Sequence, residues 1–153
     1  MVKDWLQISS DKLVESANQT IYMIGWSLFF GMLLAIPLGL AMTLCRKGGL
    51  KENLVVFWII NGIVNIVRSV PFVILLVFIA PVTKIVVGTR IGATAAIVPL
   101  VLYIAPYLAR LIEASLLEVK SSVLEAAQAM GASTLQIIWY FLLPEAKASL
   151  ILA

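Results

Sequence analysis

The 153-residue chain has no histidine and a single cysteine, Cys45. Without histidine, the usual metal-ligand clusters and the Ser-His-Asp and Cys-His nucleophile systems are excluded. One cysteine rules out an intrachain disulfide. At the end of an apolar run, Cys45 reads as a packing residue. Charge is scarce too: 12% of residues are charged, against about 25% in a soluble domain. Hydrophobic residues make up 62%. Such a chain cannot cover its surface with polar groups, so a bilayer must be its main solvent. No G-x-x-x-x-G-K-[ST] loop occurs, which excludes the usual nucleotide cradle. Nor does an acidic residue lie deep in an apolar run. Glu113 and Glu118 fall at the end of one, and Glu125 beyond it. Proton- or sodium-coupled carriers usually hold ionisable groups mid-membrane. Any transport energy is therefore expected to come from elsewhere.

What the chain does have is long apolar runs. No charge occurs between Glu15 and Arg46. Residues 21–45 can cross a hydrocarbon core about 30 Å thick at about 1.5 Å per residue. The preceding residues 1–20 are mixed polar and are expected to lie outside the membrane. They lack the pattern of a cleaved secretory signal, because the apolar run is too long and ends in Arg46-Lys47. Gly25, Gly31 and Gly39 offer a small-residue side for helix packing. A Gly48-Gly49 turn follows. Residues 53–87 read as two pieces, because Pro71 disfavours helix at Val70. Residues 53–68 are expected at the interface and 69–87 as a second span. Arg68 then either snorkels and caps that span or acts in gating or lipid contact. Residues 91–117 form a third span, with Pro99 and Pro106 expected to kink it. Arg110 and Glu113 are spaced to pair on one helical face. The expected fold class is an all-α integral membrane protein, with residues 21–153 as its transmembrane domain.

Residues 118–147 change character. Ser122-Val123-Leu124-Glu125 and Ser133-Thr134-Leu135-Gln136 both fit a capping box. Gly131 fits the left-handed position that ends a helix. A short helix, a glycine turn and a second helix stopping near Pro144 are expected. A new apolar run starts at Ala148. Lys and Arg near the span ends set the orientation. Arg46, Lys47, Lys51, Arg68, Arg110, Lys120 and Lys147 would share one side, and Lys3, Lys12, Lys84 and Arg90 the other. The excess places the N-terminus outside and residues 118–147 in the cytoplasm.

Within that segment, Glu125-Ala126-Ala127, Gly131, Leu143 and Pro144 resemble the EAA-x3-G-x9-I-x-L-P loop of ABC importer permeases. Phe141 stands where the family has isoleucine. The resemblance implies that Glu125, Ala126, Ala127, Gly131, Ala132, Leu143 and Pro144 form a coupling helix and its exit, docked in a groove of the ATPase subunit. An ordinary interfacial helical hairpin is the bland alternative. Further stretches are similar to the methionine-importer permeases: Ile66 to Leu76, Val87 to Gly92, Ala96 to Leu100, Ala105-Pro106 and Ala109-Arg110. That family is a compact five-helix permease. It pairs as a homodimer with two ATP-binding subunits and an external substrate-binding lipoprotein, in the bacterial inner membrane. Its ATP and Mg sit on the ATPase, which implies no cofactor, metal or catalytic residue on this chain, and no nucleic-acid partner. By the same resemblance the chain is the N-terminal part of such a permease, with a fourth span cut short after 148. No substrate-binding residue is assigned. A permease for another small solute, an ion-coupled carrier or channel, and a structural membrane protein are the other readings.

Overall fold

The computed structural model describes residues 10–152. Of the N-terminal segment expected over 1–20, residues 1–9 lie outside that range. Among the described residues all regular structure is helical: α1 (Ser10–Cys45), α2 (Leu54–Ser69), α3 (Phe72–Val87), α4 (Ala93–Leu117), α5 (Ser121–Ala129), α6 (Thr134–Gln136), a π-helical stretch (Ile137–Leu142) and α7 (Leu143–Leu152). Contacts divide the chain into two units. One is Met1–Gly31 with Pro71–Ile104, and the other is Met32–Val70 with Ala105–Ala153.

In the first unit, α1 already begins in the polar segment. Asp11 in its first turn suits the positive end of the helix dipole, and nothing between it and residue 21 breaks a helix. Tyr22, Trp26, Phe29 and Phe30 stack along α1 with centroids 5.4–6.4 Å apart, and all four are exposed. An exposed aromatic ladder would be costly in water but is stable against lipid. The second expected span, 69–87, is realised as α3, which has 16 residues. That length rises about 24 Å, short of the about 30 Å core. Pro71 occupies its N-cap and Gly88 its C-cap at φ 85°. Among the described residues, α1 and α4 are the helices long and apolar enough to cross a bilayer individually, and α2 with α3 passes the same test only if the bent pair is counted as one span. Phe72 of α3 meets Tyr103 of α4 edge-to-face at 5.2 Å.

The second unit contains residues 32–45 of α1, α2, residues 105–117 of α4 and everything beyond. Ala35, Met42, Val64 and Ala109 form one buried cluster, and Leu116, Val119, Ile138, Leu142 and Ala146 another. Helix α4 runs unbroken through Pro99 and Pro106. The expected small-residue side of α1 is used at Gly39. A Cβ there would lie 2.9 Å from the Ala109 carbonyl oxygen and 2.8 Å from Ile112 Cγ2. Gly25, by contrast, has nothing within 4 Å of such a Cβ. Gly39→Ala gains about 0.8–1.0 kcal/mol of helix propensity but overpacks a backbone carbonyl, at a typical cost of about 1–3 kcal/mol. The expected net is a loss of about 1 kcal/mol in a detergent denaturation titration. A stabilised variant would contradict the close packing.

The 46–53 loop closes as a tight turn. Gly48 takes φ 75°. The Gly49 N–H donates to the Arg46 carbonyl at 2.9 Å, and the Gly48 N–H to the Glu52 carboxylate at 3.0 Å. The Asn53 side chain caps α2, accepting from the Val56 N–H at 3.2 Å.

Candidate functional site

The hairpin of α5, the glycine turn and α6 holds the residues singled out in the sequence. Its turn is built as expected. Gly131 has φ 79°. The Ala132 N–H reaches the Ala127 carbonyl at 3.1 Å, and the Gly131 N–H the Gln128 carbonyl at 2.9 Å. These two bonds make a Schellman closure, with glycine at the left-handed position and Ala132 immediately after it. The second capping box also forms. The Ser133 N–H donates to Gln136 Oε1 at 2.8 Å, and the Gln136 N–H to Ser133 Oγ at 3.4 Å.

The first capping box does not form. Helix α5 starts at Ser121, with Lys120 extended (φ −60°, ψ 131°) as its N-cap and no side-chain cap bond. The Val123 N–H instead reaches the Lys120 carbonyl at 3.1 Å. Ser122 is thereby inside the helix, and its backbone cannot take the extended conformation a cap requires. Glu125 is left exposed rather than tied to the helix start.

The small residues of α5 divide between two sides. Ala127 is fully buried, while Ala126 and Ala129 are exposed. Inward, Leu124 and Leu143 pack on the cluster of Leu116, Val119, Ile138, Leu142 and Ala146. That cluster ties the hairpin to the end of α4. Outward, Ala126, Ala129 and Met130 leave a low apolar surface, with Met130 71% exposed. Sequence reasoning missed Met130, although its place just before the glycine turn marks the end of the outward face. A cavity of about 430 Å³ lies beside the hairpin, lined by residues that include Arg46, Glu118, Lys120, Glu125 and Gln128.

The expected stop at Pro144 is absent. Proline lacks an N–H, and its ring presses on the carbonyl four residues back. Here the preceding turn widens into the π-helical stretch, and the Leu143 N–H bonds to the Ile138 carbonyl five residues back. The wider turn relieves the clash, so the helix continues past exposed Pro144 to Leu152.

A polar seam joins α2 and α4. Arg110 pairs with Glu113 at 2.6 Å, as its spacing suggested. Arg110 also donates to Asn61, and to Asn65 Oδ1 at 3.0 Å. One turn away, the Arg68 guanidinium lies 6.0 Å over the Tyr107 ring, the geometry of a cation–π contact. The two asparagines were not recognised from the sequence. Their signal was available: amides four residues apart on one face of an otherwise apolar helix. Among the described residues no group of three or more His, Cys, Asp or Glu side chains comes together.

The hairpin thus combines a left-handed glycine, an outward small-residue face and an inward tie to the end of α4. The sequence pattern of the binding-protein-dependent transport system inner membrane components matches residues 35–153. This chain belongs to that family. Among its relatives is a probable D-methionine transport system permease protein MetI of Vibrio cholerae. It is 49% identical over 150 residues, covering 98% of this chain and 67% of that protein. The D-methionine transport system permease protein MetI of Escherichia coli K12 is 43% identical, covering 91% of this chain and 64% of the relative. A solved inward-facing conformation of the MetNI methionine ABC transporter superposes with a TM-score of 0.90 at 41% identity, covering 94% of this chain and 68% of that one. The chain thus spans about two thirds of the length of the relatives it matches. Like the rest of the family, it is a multi-pass membrane protein.

Proposed function

We propose that this family member is the membrane-spanning permease subunit of an ATP-driven importer of methionine, D-methionine included. It is not itself an enzyme. Two copies pair as a homodimer and engage two ATP-binding subunits, which carry the ATP and Mg. An external substrate-binding lipoprotein delivers the amino acid. The N-terminus lies outside and the α5 hairpin in the cytoplasm. The observation that carries this reading is the hairpin itself, with Glu125-Ala126-Ala127 in α5 and Gly131 in its left-handed turn. The relatives' names supply the substrate.

The geometry suits mechanical coupling. Ala126 and Ala129 present little more than backbone, so a partner groove can approach closely. Glu125 offers a free carboxylate at the rim of that face. On the other side, Ala127 and Leu143 tie the hairpin inward. A push on α5 therefore reaches Leu116 at the end of α4 through packed side chains, and packed elements shift between discrete arrangements rather than deforming continuously. The chain's own task is to dock, transmit force and exclude water, while the energy comes from nucleotide hydrolysis on the partner.

The test is uptake in a strain that lacks its own methionine importers, with the chain expressed beside its ATP-binding and substrate-binding partners. ATP-dependent accumulation of D- and L-methionine is expected, lost when the ATPase is inactivated. In the same cells a cysteine at position 51, exposed in the same loop, in a Cys45→Ser background, should resist impermeant labelling. Accumulation of a different solute with no methionine uptake would count against the substrate, and external labelling at 51 against the orientation.

A further inference from the structure

A second cavity, of about 480 Å³, lies where the apolar part of α1 ends, lined by Arg46, Lys47, Leu54, Phe57, Trp58 and Glu113. Its composition is divided. Arg46 and Lys47 supply two cations at one end, and Leu54, Phe57 and Trp58 an apolar wall. The one carboxylate among the lining residues, Glu113, is already paired with Arg110. Across residues 46–52 the cations Arg46, Lys47 and Lys51 face one acid, Glu52, which accepts the Gly48 N–H. The site therefore keeps a positive excess. Trp58 is 65% exposed and Leu54 41%. Tryptophan of this kind is enriched at the level of lipid headgroups.

We propose that this cavity is a binding site for an anionic phospholipid of the surrounding bilayer. The headgroup phosphate sits against Arg46 and Lys47, and the first part of an acyl chain runs along Leu54, Phe57 and Trp58. The charge complementarity selects the occupant. A soluble anion would have no use for the exposed tryptophan wall. A zwitterionic lipid would gain the wall but little from two cations, because its own positive group opposes them. Basic pockets beside membrane helices recognise anionic headgroups by this combination. The volume falls in the range of small-molecule sites, about 300–1,000 Å³. The inference needs only that the chain lies in a membrane and stands apart from the importer reading.

Tryptophan quenching by brominated lipids tests it. The full chain, with Trp5, Trp26 and Trp139 changed to Phe, is reconstituted in phosphatidylcholine vesicles containing brominated phosphatidylglycerol or brominated phosphatidylcholine. The relative binding constant at Trp58 is expected to favour phosphatidylglycerol about 25-fold, since roughly five-fold per interfacial cation multiplies over Arg46 and Lys47. It should fall to within about two-fold in Arg46→Gln/Lys47→Gln, stay high in Arg46→Lys/Lys47→Arg, and drop in about 1 M salt, where charges more than a few ångström apart are screened. A companion protein that keeps Trp26 alone, earlier in α1, should show no such preference. Equal quenching of Trp58 by both lipids overturns the proposal. So does a preference that persists in Arg46→Gln/Lys47→Gln, or one of the same size at Trp26. The comparison of Trp58 with Trp26 keeps the wild-type cations, so the proposal stays exposed to refutation even if the charge variants misfold.

Discussion

Gly131→Val should cut recovery of the chain with its ATP-binding subunit about ten-fold or more while leaving the chain in the membrane. At φ 79° an L-residue pays about 1–2 kcal/mol for the left-handed region, and a β-branched one is a genuine outlier there. About 1.4 kcal/mol is a factor of ten in an equilibrium. The nearby space is open, since a Cβ at Gly131 would meet nothing within 4 Å. The effect would therefore come from the backbone alone. That gives the prediction a control: Gly131→Asn, which visits the left-handed region with little strain, should retain most of the recovery. The measurement is affinity co-purification from membranes, scored against total inserted chain. Valine and wild type recovering equal amounts of ATPase would mean that this turn does not set the docking geometry. Glu125→Ala is a different kind of change. With no cap to lose, it should leave stability within about 0.5 kcal/mol, as for an ordinary surface position, and any loss of docking would report the carboxylate itself.

Arg110→Leu is expected to be the most destabilising single change in the second unit. It leaves the Glu113 side chain, 8% exposed, without its partner and removes the donor to Asn61 and Asn65. Breaking a buried pair from one side costs about 3–5 kcal/mol, whereas replacing both members by apolar groups is often neutral. The double variant Arg110→Leu/Glu113→Leu should therefore regain most of what the single one loses. Denaturant titration in detergent, followed by helical circular dichroism, separates the two. A single variant as stable as wild type would show that the seam contributes nothing to holding α2 on α4.

Much of this architecture could be read from the sequence, for identifiable reasons. The charge-free interval before Arg46 fixed the apolar part of α1, because no other solvent than lipid could accept it. Gly131 and Ser133 were legible because each satisfies a local backbone requirement within about four residues. The Arg110–Glu113 pair followed from spacing alone. The failures share another cause. Ser122 had the residues of a capping box, but Lys120 took the extended conformation first, and two adjacent caps cannot both operate. Pro144 carried a stop signal that the wide turn before it nullified, and the choice between α and π bonding depends on packing of Ile137, Ile138 and Leu142. Asn61 and Asn65 find their partner, Arg110, 49 and 45 positions later, a separation that no local pattern encodes. Glu125 and Ala126 were found through resemblance. Their exposure, and the burial of Ala127 beside them, needed coordinates.

The π-helical stretch has a consequence for angular phase. An α-helix advances about 100° per residue, so a turn bonded five residues back stores one residue more than the same height of α-helix. If Ile137–Leu142 rewound to α bonding, everything from Leu143 onward would rotate by about 100° about the helix axis. Ala146, now buried, would swing off the cluster, and the neighbouring positions would exchange facing. Pro144 penalises that rewinding, because a tight α turn restores the clash with the Tyr140 carbonyl. The proline thus acts as a ratchet pawl: it holds the return arm at one angular setting, and a proline-free variant of the same arm would be free to turn to the other.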